Sequence, residues 1–128
     1  MAIERIEQTI LRNLIFTEEY YRKVVPFIKA DYFQEYHEKI VFEEIADFSS
    51  KYDKTPTQEV LSINLQNRND LTDDAYQDSL STVRELSNEW VDYEWLLDAT
   101  EKWCKDRAIY LALMQSIKIA DGGDKKIS

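Results

Sequence analysis

The first 121 residues of this chain contain no glycine, and this absence constrains the fold more than any other feature. The two glycines, Gly122 and Gly123, are adjacent, and there are two prolines, where average usage would give roughly 9 glycines and roughly 6 prolines. Sheets built from tight hairpins need glycine at their turns, so the sequence disfavours sandwiches and barrels. It also leaves no place for the phosphate-binding patterns GxGxxG and GxxxxGK[ST].

Apolar residues recur at helical spacing along the whole chain and predict an all-α fold. The opening run of Ile3, Ile6, Ile10 and Leu14 is spaced by three and four residues, the period of an amphipathic helix. Similar runs predict six helices, which lie at about 3–14, 18–25, 35–52, 58–65, 72–86 and 90–120. The third helix is expected to bury a stripe formed by Tyr36, Ile40, Val41, Ile45, Phe48 and Tyr52.

Local signals place the helix ends. Thr17, Thr57 and Thr72 each precede a helical run and can accept a hydrogen bond from its free amides, so we predict them as N-caps. Pro26 lacks an amide hydrogen and disfavours helical geometry at the preceding residue, so a break is expected there. The connection that follows should turn Phe33 inward.

A polar run at 66–70 divides the chain into two parts. Two helices follow this run and are joined by a short turn at 87–89, which is typical of an antiparallel helical hairpin. We therefore predict a small helical globule over 1–70, a helical hairpin with a long last helix over 71–121, and a linker or tail over 122–128.

The last predicted helix carries an apolar stripe that the preceding helix, about half as long, cannot cover. Members of this stripe recur every seven residues and hold one line along the helix. Its outer part could pack on the first four helices or against a second copy of the chain. The residues predicted for self-association are Leu96, Trp103, Tyr110, Leu111, Met114 and Ile117.

Few residues in this chain could carry chemistry. With one histidine, His37, and one cysteine, Cys104, an internal disulfide and a Cys- or His-based zinc site are excluded. We interpret His37 as a helix-start residue that bonds nearby backbone or packs on Phe33, and Cys104 as a packed thiol rather than a reactive one. A carboxylate site for Mg²⁺ or Ca²⁺ and a carboxylate-based hydrolase remain minor alternatives. No catalytic residue, metal ligand or cofactor is predicted.

The charge and hydropathy pattern limits the partners of the chain. With 16 basic and 25 acidic residues, its net charge of -9 disfavours unaided binding to nucleic-acid phosphates. No apolar run approaches the ~20 residues of a membrane span, and the first residues lack the apolar core of a signal peptide. We predict a cytoplasmic protein without strong nucleic-acid binding of its own.

Four segments of the chain occur in an order and spacing that is typical of a known protein family. They are the opening helix at 6–15, the pair of segments 24–26 and 31–33, the helix at 37–45, and the loop 52–57 followed by 60–61. In this order and spacing they resemble the N-terminal domain of the DnaB-like hexameric replicative DNA helicases. Within that family, segments 14–16, 100–103 and 107–108 are most similar to the T4-type phage helicases. The resemblance covers most of 6–112.

The resemblance implies a domain that does not hydrolyse ATP. In the family this domain packs into a ring collar, pairs through helical hairpins, and offers docking surfaces to a primase and a helicase loader. ATP and Mg²⁺ would belong to a separate RecA-like motor, so the chain is expected to be an N-terminal piece of such a helicase, in the host cytoplasm if phage-encoded. The alternative is a free-standing acidic helical adaptor or inhibitor that binds another protein.

Overall fold

A computed structural model describes residues 4–120, and across them it contains six α-helices and no strand. The helices are α1 (Ile6–Phe16), α2 (Glu18–Val24), α3 (Tyr36–Tyr52), α4 (Gln58–Gln66), α5 (Asp73–Glu85) and α6 (Tyr93–Ala120). Two single 3-10 turns, Val25–Phe27 and Ala30–Tyr32, lie between α2 and α3. The predicted all-α class is confirmed. Ile3 and the predicted tail at 122–128 lie outside the described residues.

Two of the three predicted threonine N-caps are present, and the predicted break at Pro26 occurs. The hydroxyl oxygens of Thr57 and Thr72 each accept a hydrogen bond of 3.1 Å from the amide three residues ahead, as predicted for N-caps. Thr17 also precedes a helix, but its hydroxyl donates to the Oδ1 atom of Asn13 at 3.0 Å and caps nothing. The proline-containing segment Val25–Phe27 leaves the α-helical path, which confirms the predicted break.

The last helix begins at Tyr93 rather than at the predicted Trp90. The carboxylate of Asp92 accepts a 2.9 Å hydrogen bond from the Trp95 amide and so satisfies one of the free donors of the first turn. Aspartate is a strong N-cap residue, so it stops the helix from extending backwards. The connection at 86–92 is therefore longer than the predicted turn at 87–89.

The core forms around α1, which packs on α2, on α3 and on the first half of α6. Phe33 is fully buried there, as predicted. Tyr36 and Tyr52 were predicted to join the buried stripe of α3, but they are 59% and 60% exposed. They are the first and last residues of that helix, and no neighbouring element covers them. Among 4–120, no helix combines the length and the apolar character needed to cross a membrane.

The two last helices have different partners. α5 packs mainly on α3 and α4, whereas α6 packs on α1, α2 and the turn Ala30–Tyr32. A hydrogen bond of 2.7 Å between His37 Nδ1 and Thr82 Oγ1 also ties α5 to α3. Close side-by-side packing of α5 on α6, as expected of a hairpin, is therefore not confirmed.

Candidate interaction surface on the last helix

The last helix has one half inside the globule and one half outside it. α6 contains 28 residues and is about 42 Å long at 1.5 Å per residue. Leu96, Thr100 and Trp103 are its buried residues. Beyond Trp103, every described residue of α6 is at least partly exposed, so the second half extends away from the core.

Trp103 is the last buried residue of α6. Its ring centroid lies 4.9 Å from that of Phe33 and 5.9 Å from that of Tyr32, the latter in an edge-on arrangement. Its indole nitrogen donates a 3.2 Å hydrogen bond to a carboxylate oxygen of Glu7, on α1. One turn further on, Arg107 donates to the backbone carbonyl of Tyr32. These contacts fix the point at which the helix leaves the globule.

The exposed half of α6 presents an apolar face to solvent. Four side chains lie within about 100° of one another around the helix, at a spacing of three to four residues. Their exposures run from 44% to 58%. We call them the distal apolar face: Tyr110, Leu113, Met114 and Ile117. The guanidinium of Arg107 lies 4.8 Å from the Tyr110 ring centroid and borders the face on the side of the core.

A cleft of about 1090 Å³ opens between this half of α6 and the globule. Leu111, Met114 and Ile117 line it on the helix side, and Lys29 and Tyr32 line it on the other. Half-buried Leu111 forms part of its floor. The exposed half of α6 thus offers both a protruding apolar ridge and a neighbouring groove that can receive one.

The structure divides the six residues predicted for self-association into two groups. Leu96 and Trp103 are 0% and 7% exposed, so this chain covers them itself. The other four, Tyr110, Leu111, Met114 and Ile117, are exposed or half-buried. The sequence prediction omitted Leu113, although its spacing from Tyr110 and Ile117 places it on the same face of the helix.

Cys104 and His37, the two residues considered for chemistry, both make contacts within the fold. Burial raises the pKa of the Cys104 thiol to about 11, so the thiol is protonated at neutral pH and supports the packing interpretation. His37 lies at the start of α3 as expected, but it bonds to the side chain of Thr82, 45 positions away, rather than to nearby backbone. Within 4–120, no three His, Cys, Asp or Glu side chains are arranged to hold a metal ion.

Comparison with known proteins gives the ancestry of the chain. A family model described as the DnaB-like helicase N-terminal domain matches residues 2–97, which include α1 to α5 and the start of α6. The chain is also 30% identical, over 112 residues, to the DnaB-like replicative helicase of Enterobacteria phage T4. That match covers 88% of this chain and 23% of the phage protein, so the chain spans about a quarter of its relative. The chain belongs to the family of DnaB-like helicase N-terminal domains.

Proposed function

We propose that this chain is the assembly and partner-docking domain of a phage-type replicative DNA helicase. The observation that carries the proposal is the distal apolar face, which a single copy of the chain leaves uncovered. The family match supports the helicase over the free-standing adaptor or inhibitor. The proposal places the protein in the host cytoplasm, and the primase and the helicase loader of the replication machinery are its proposed partners.

Self-association would bury the distal apolar face. Large contiguous apolar patches are uncommon on monomeric proteins and mark interaction sites. In a two-fold pairing, the ridge of each copy would enter the cleft of the other, so that one surface serves both partners. Each Å² of apolar area removed from water contributes about 25 cal/mol before the cost of association is subtracted. Pairs of this kind would be the building blocks of a ring collar.

The motor chemistry would lie elsewhere in such a helicase. In these 128 residues, the only glycines are Gly122 and Gly123, so neither GxGxxG nor GxxxxGK[ST] can be written. ATP and Mg²⁺ would then bind to a separate motor domain.

We expect the isolated chain neither to bind nor to hydrolyse ATP. Isothermal titration calorimetry with ATP and Mg²⁺ should show only heats of dilution, and a phosphate-release assay should stay at the buffer rate. Saturable binding with micromolar affinity would contradict this prediction.

Charge introduced into the distal apolar face should separate the copies without unfolding them. We expect Tyr110→Glu and Ile117→Glu each to weaken self-association by about tenfold or more, because each places a carboxylate in an apolar contact. Their unfolding midpoints in urea should stay close to that of the wild type, since both side chains are about half exposed. Light scattering coupled to size exclusion would measure the mass.

A matched control for these variants is Ile63→Glu on α4. Ile63 is 48% exposed, close to Ile117 at 52%, but it lies on another helix. The control should self-associate like the wild type. If Tyr110→Glu or Ile117→Glu unfolds the chain, the face belongs to the intramolecular core and the proposal is wrong. The proposal is also wrong if Ile63→Glu weakens self-association equally, because the loss would then not be specific to the distal apolar face.

A further inference from the structure

Two tryptophans are exposed at the start of α6, at the opposite end of the helix from the distal apolar face. Trp90, in the connection before the helix, is 86% exposed, and Trp95, in the first turn, is 53% exposed. Scattered exposed apolar residues are normal, but tryptophan is the residue most enriched, with Tyr and Arg, among the side chains that dominate binding energy at interfaces. Two exposed indoles five positions apart therefore indicate a contact surface.

The chain segment that carries these indoles has acidic side chains and no basic ones. The segment 85–101 contains six acidic residues and no basic one: Glu85, Glu89, Asp92, Glu94, Asp98 and Glu101. Of these six acids, only Glu101 has an ion-pair partner among the described residues, Lys105 at 3.9 Å. The other five carboxylates have no basic nitrogen within 4.0 Å in the part of the chain that the structure describes. The tryptophans thus lie in a strongly negative environment.

A small cavity lies between α1 and the end of α5, and one of its lining residues, Glu89, directly precedes Trp90 in the chain. Its volume is about 270 Å³, and its walls include Glu4, Glu85, Glu89 and Arg12. Arg12 lies 3.1 Å from the Glu4 carboxylate and donates a 2.7 Å hydrogen bond to the backbone carbonyl of Glu89. Arg12 pairs with the Glu4 carboxylate alone, and the carboxylates of Glu85 and Glu89 have no basic partner among the described residues, so the cavity lining keeps an excess of negative charge. A long cationic side chain suits both its size and its charge.

We propose that Trp90, Trp95 and this acidic cavity form a docking surface for an arginine-rich segment of a partner protein. A guanidinium stacks on the face of an indole and pairs with carboxylates in a planar fork, which lysine does less well. The same carboxylates repel the phosphates of nucleic acids. The inference rests on the partner-docking part of the proposed function and is independent of the distal apolar face.

The test uses calorimetry of the full chain with an octapeptide of alternating arginine and leucine. We expect saturable binding that weakens as salt is added, and weaker binding of the matching lysine peptide. A peptide with glutamate in place of arginine should not bind. Trp90→Ala and Trp95→Ala should each reduce the affinity for the arginine peptide by about tenfold, the usual effect of removing an anchor residue.

Tyr52→Ala is the control, because Tyr52 is an aromatic residue of similar exposure, 60%, on α3. Its affinity for the peptide should equal that of the wild type. Equal losses in Tyr52→Ala and in the tryptophan variants would overturn the proposal, as would binding that neither tryptophan variant alters or equally tight binding of the glutamate peptide. Those results would point to diffuse charge attraction or to another surface.

The failures of the two proposals can be told apart. Tyr110→Glu should lose self-association and bind the arginine peptide with unchanged affinity, because Tyr110 lies far along α6 from Trp95. A chain that self-associates but shows no tryptophan-dependent peptide binding contradicts the docking surface alone. A chain that binds the peptide but stays monomeric contradicts the assembly proposal alone.

Discussion

Replacing Trp103 with alanine should lower the free energy of unfolding by about 3–5 kcal/mol, the range measured for large aromatic residues in protein cores. The substitution removes a side chain that is 7% exposed and packed against Tyr32 and Phe33. It also removes the indole donor from the buried carboxylate of Glu7. An unsatisfied buried acceptor adds its own penalty to that of the cavity. Urea unfolding, followed by far-UV circular dichroism, would measure the difference.

Trp95→Ala is a matched control for this experiment. It removes the same side chain from the same helix, but from a position that is 53% exposed. Surface substitutions usually change stability by about 0.5 kcal/mol or less. If Trp95→Ala and Trp103→Ala have equal effects, Trp103 does not hold α6 in the core and the packing described above is wrong.

Replacing Arg5 with leucine should destabilise the chain by about 2 kcal/mol near neutral pH, because it leaves a buried carboxylate without its partner. The side chain of Glu38 is 1% exposed, and both of its oxygens accept hydrogen bonds from Arg5, at 2.8 and 3.1 Å. Arg5 itself is 42% exposed, so the effect should lie below that of breaking a fully buried ion pair.

The effect of Arg5→Leu should depend on pH in one direction. Burial raises the pKa of Glu38, and hydrogen bonding to Arg5 opposes this only in part. The folded carboxyl therefore holds its proton more tightly than the unfolded one, and the contribution of Glu38 to stability falls as the pH rises between the two pKa values. Without Arg5 the pKa of Glu38 rises further. The destabilisation should thus be largest near neutral pH and shrink as the pH falls from the pKa of Glu38 in the variant towards its pKa in the wild type.

Two further variants control for this result. Arg22→Leu removes an arginine that also meets two carboxylates, Glu18 and Asp53, but all three side chains are about half exposed or more. It should change stability little at any pH. In a Glu38→Gln background, Arg5→Leu should lose the part of its pH dependence that Glu38 causes, although the Glu7 carboxylate, 3.4 Å from Arg5, is still present. A pH-dependent loss that persists in this background would assign the effect to another group.

Structural features that depend on residues close in sequence, such as helix caps and breaks, could be predicted from the sequence. The caps at Thr57 and Thr72 and the break at Pro26 follow from hydrogen-bonding capacity and backbone geometry within a few residues. Contacts between distant residues could not be predicted in this way. The bond between Trp103 and Glu7 joins positions 96 residues apart, and that between Arg5 and Glu38 joins positions 33 apart.

The sequence identified only part of the distal apolar face, because its extent also depends on contacts between distant residues. A seven-residue repeat correctly grouped Leu96, Trp103, Tyr110 and Ile117 on one side of a helix. Periodicity shows which side chains share a face, but not where along the helix the globule ends. The point at which α6 leaves the globule depends on the turn Ala30–Tyr32, which is distant in sequence but contacts α6. Only the packed structure therefore separates the buried half of the stripe from the exposed half.

Sedimentation velocity of the unmodified chain over a wide concentration range tests the central claim, self-association, most directly. The account predicts a reversible equilibrium, in which the weight-average mass rises above the 15.2 kDa of one chain as concentration increases. A single species of 15.2 kDa at every concentration, up to the highest that stays in solution, would contradict it.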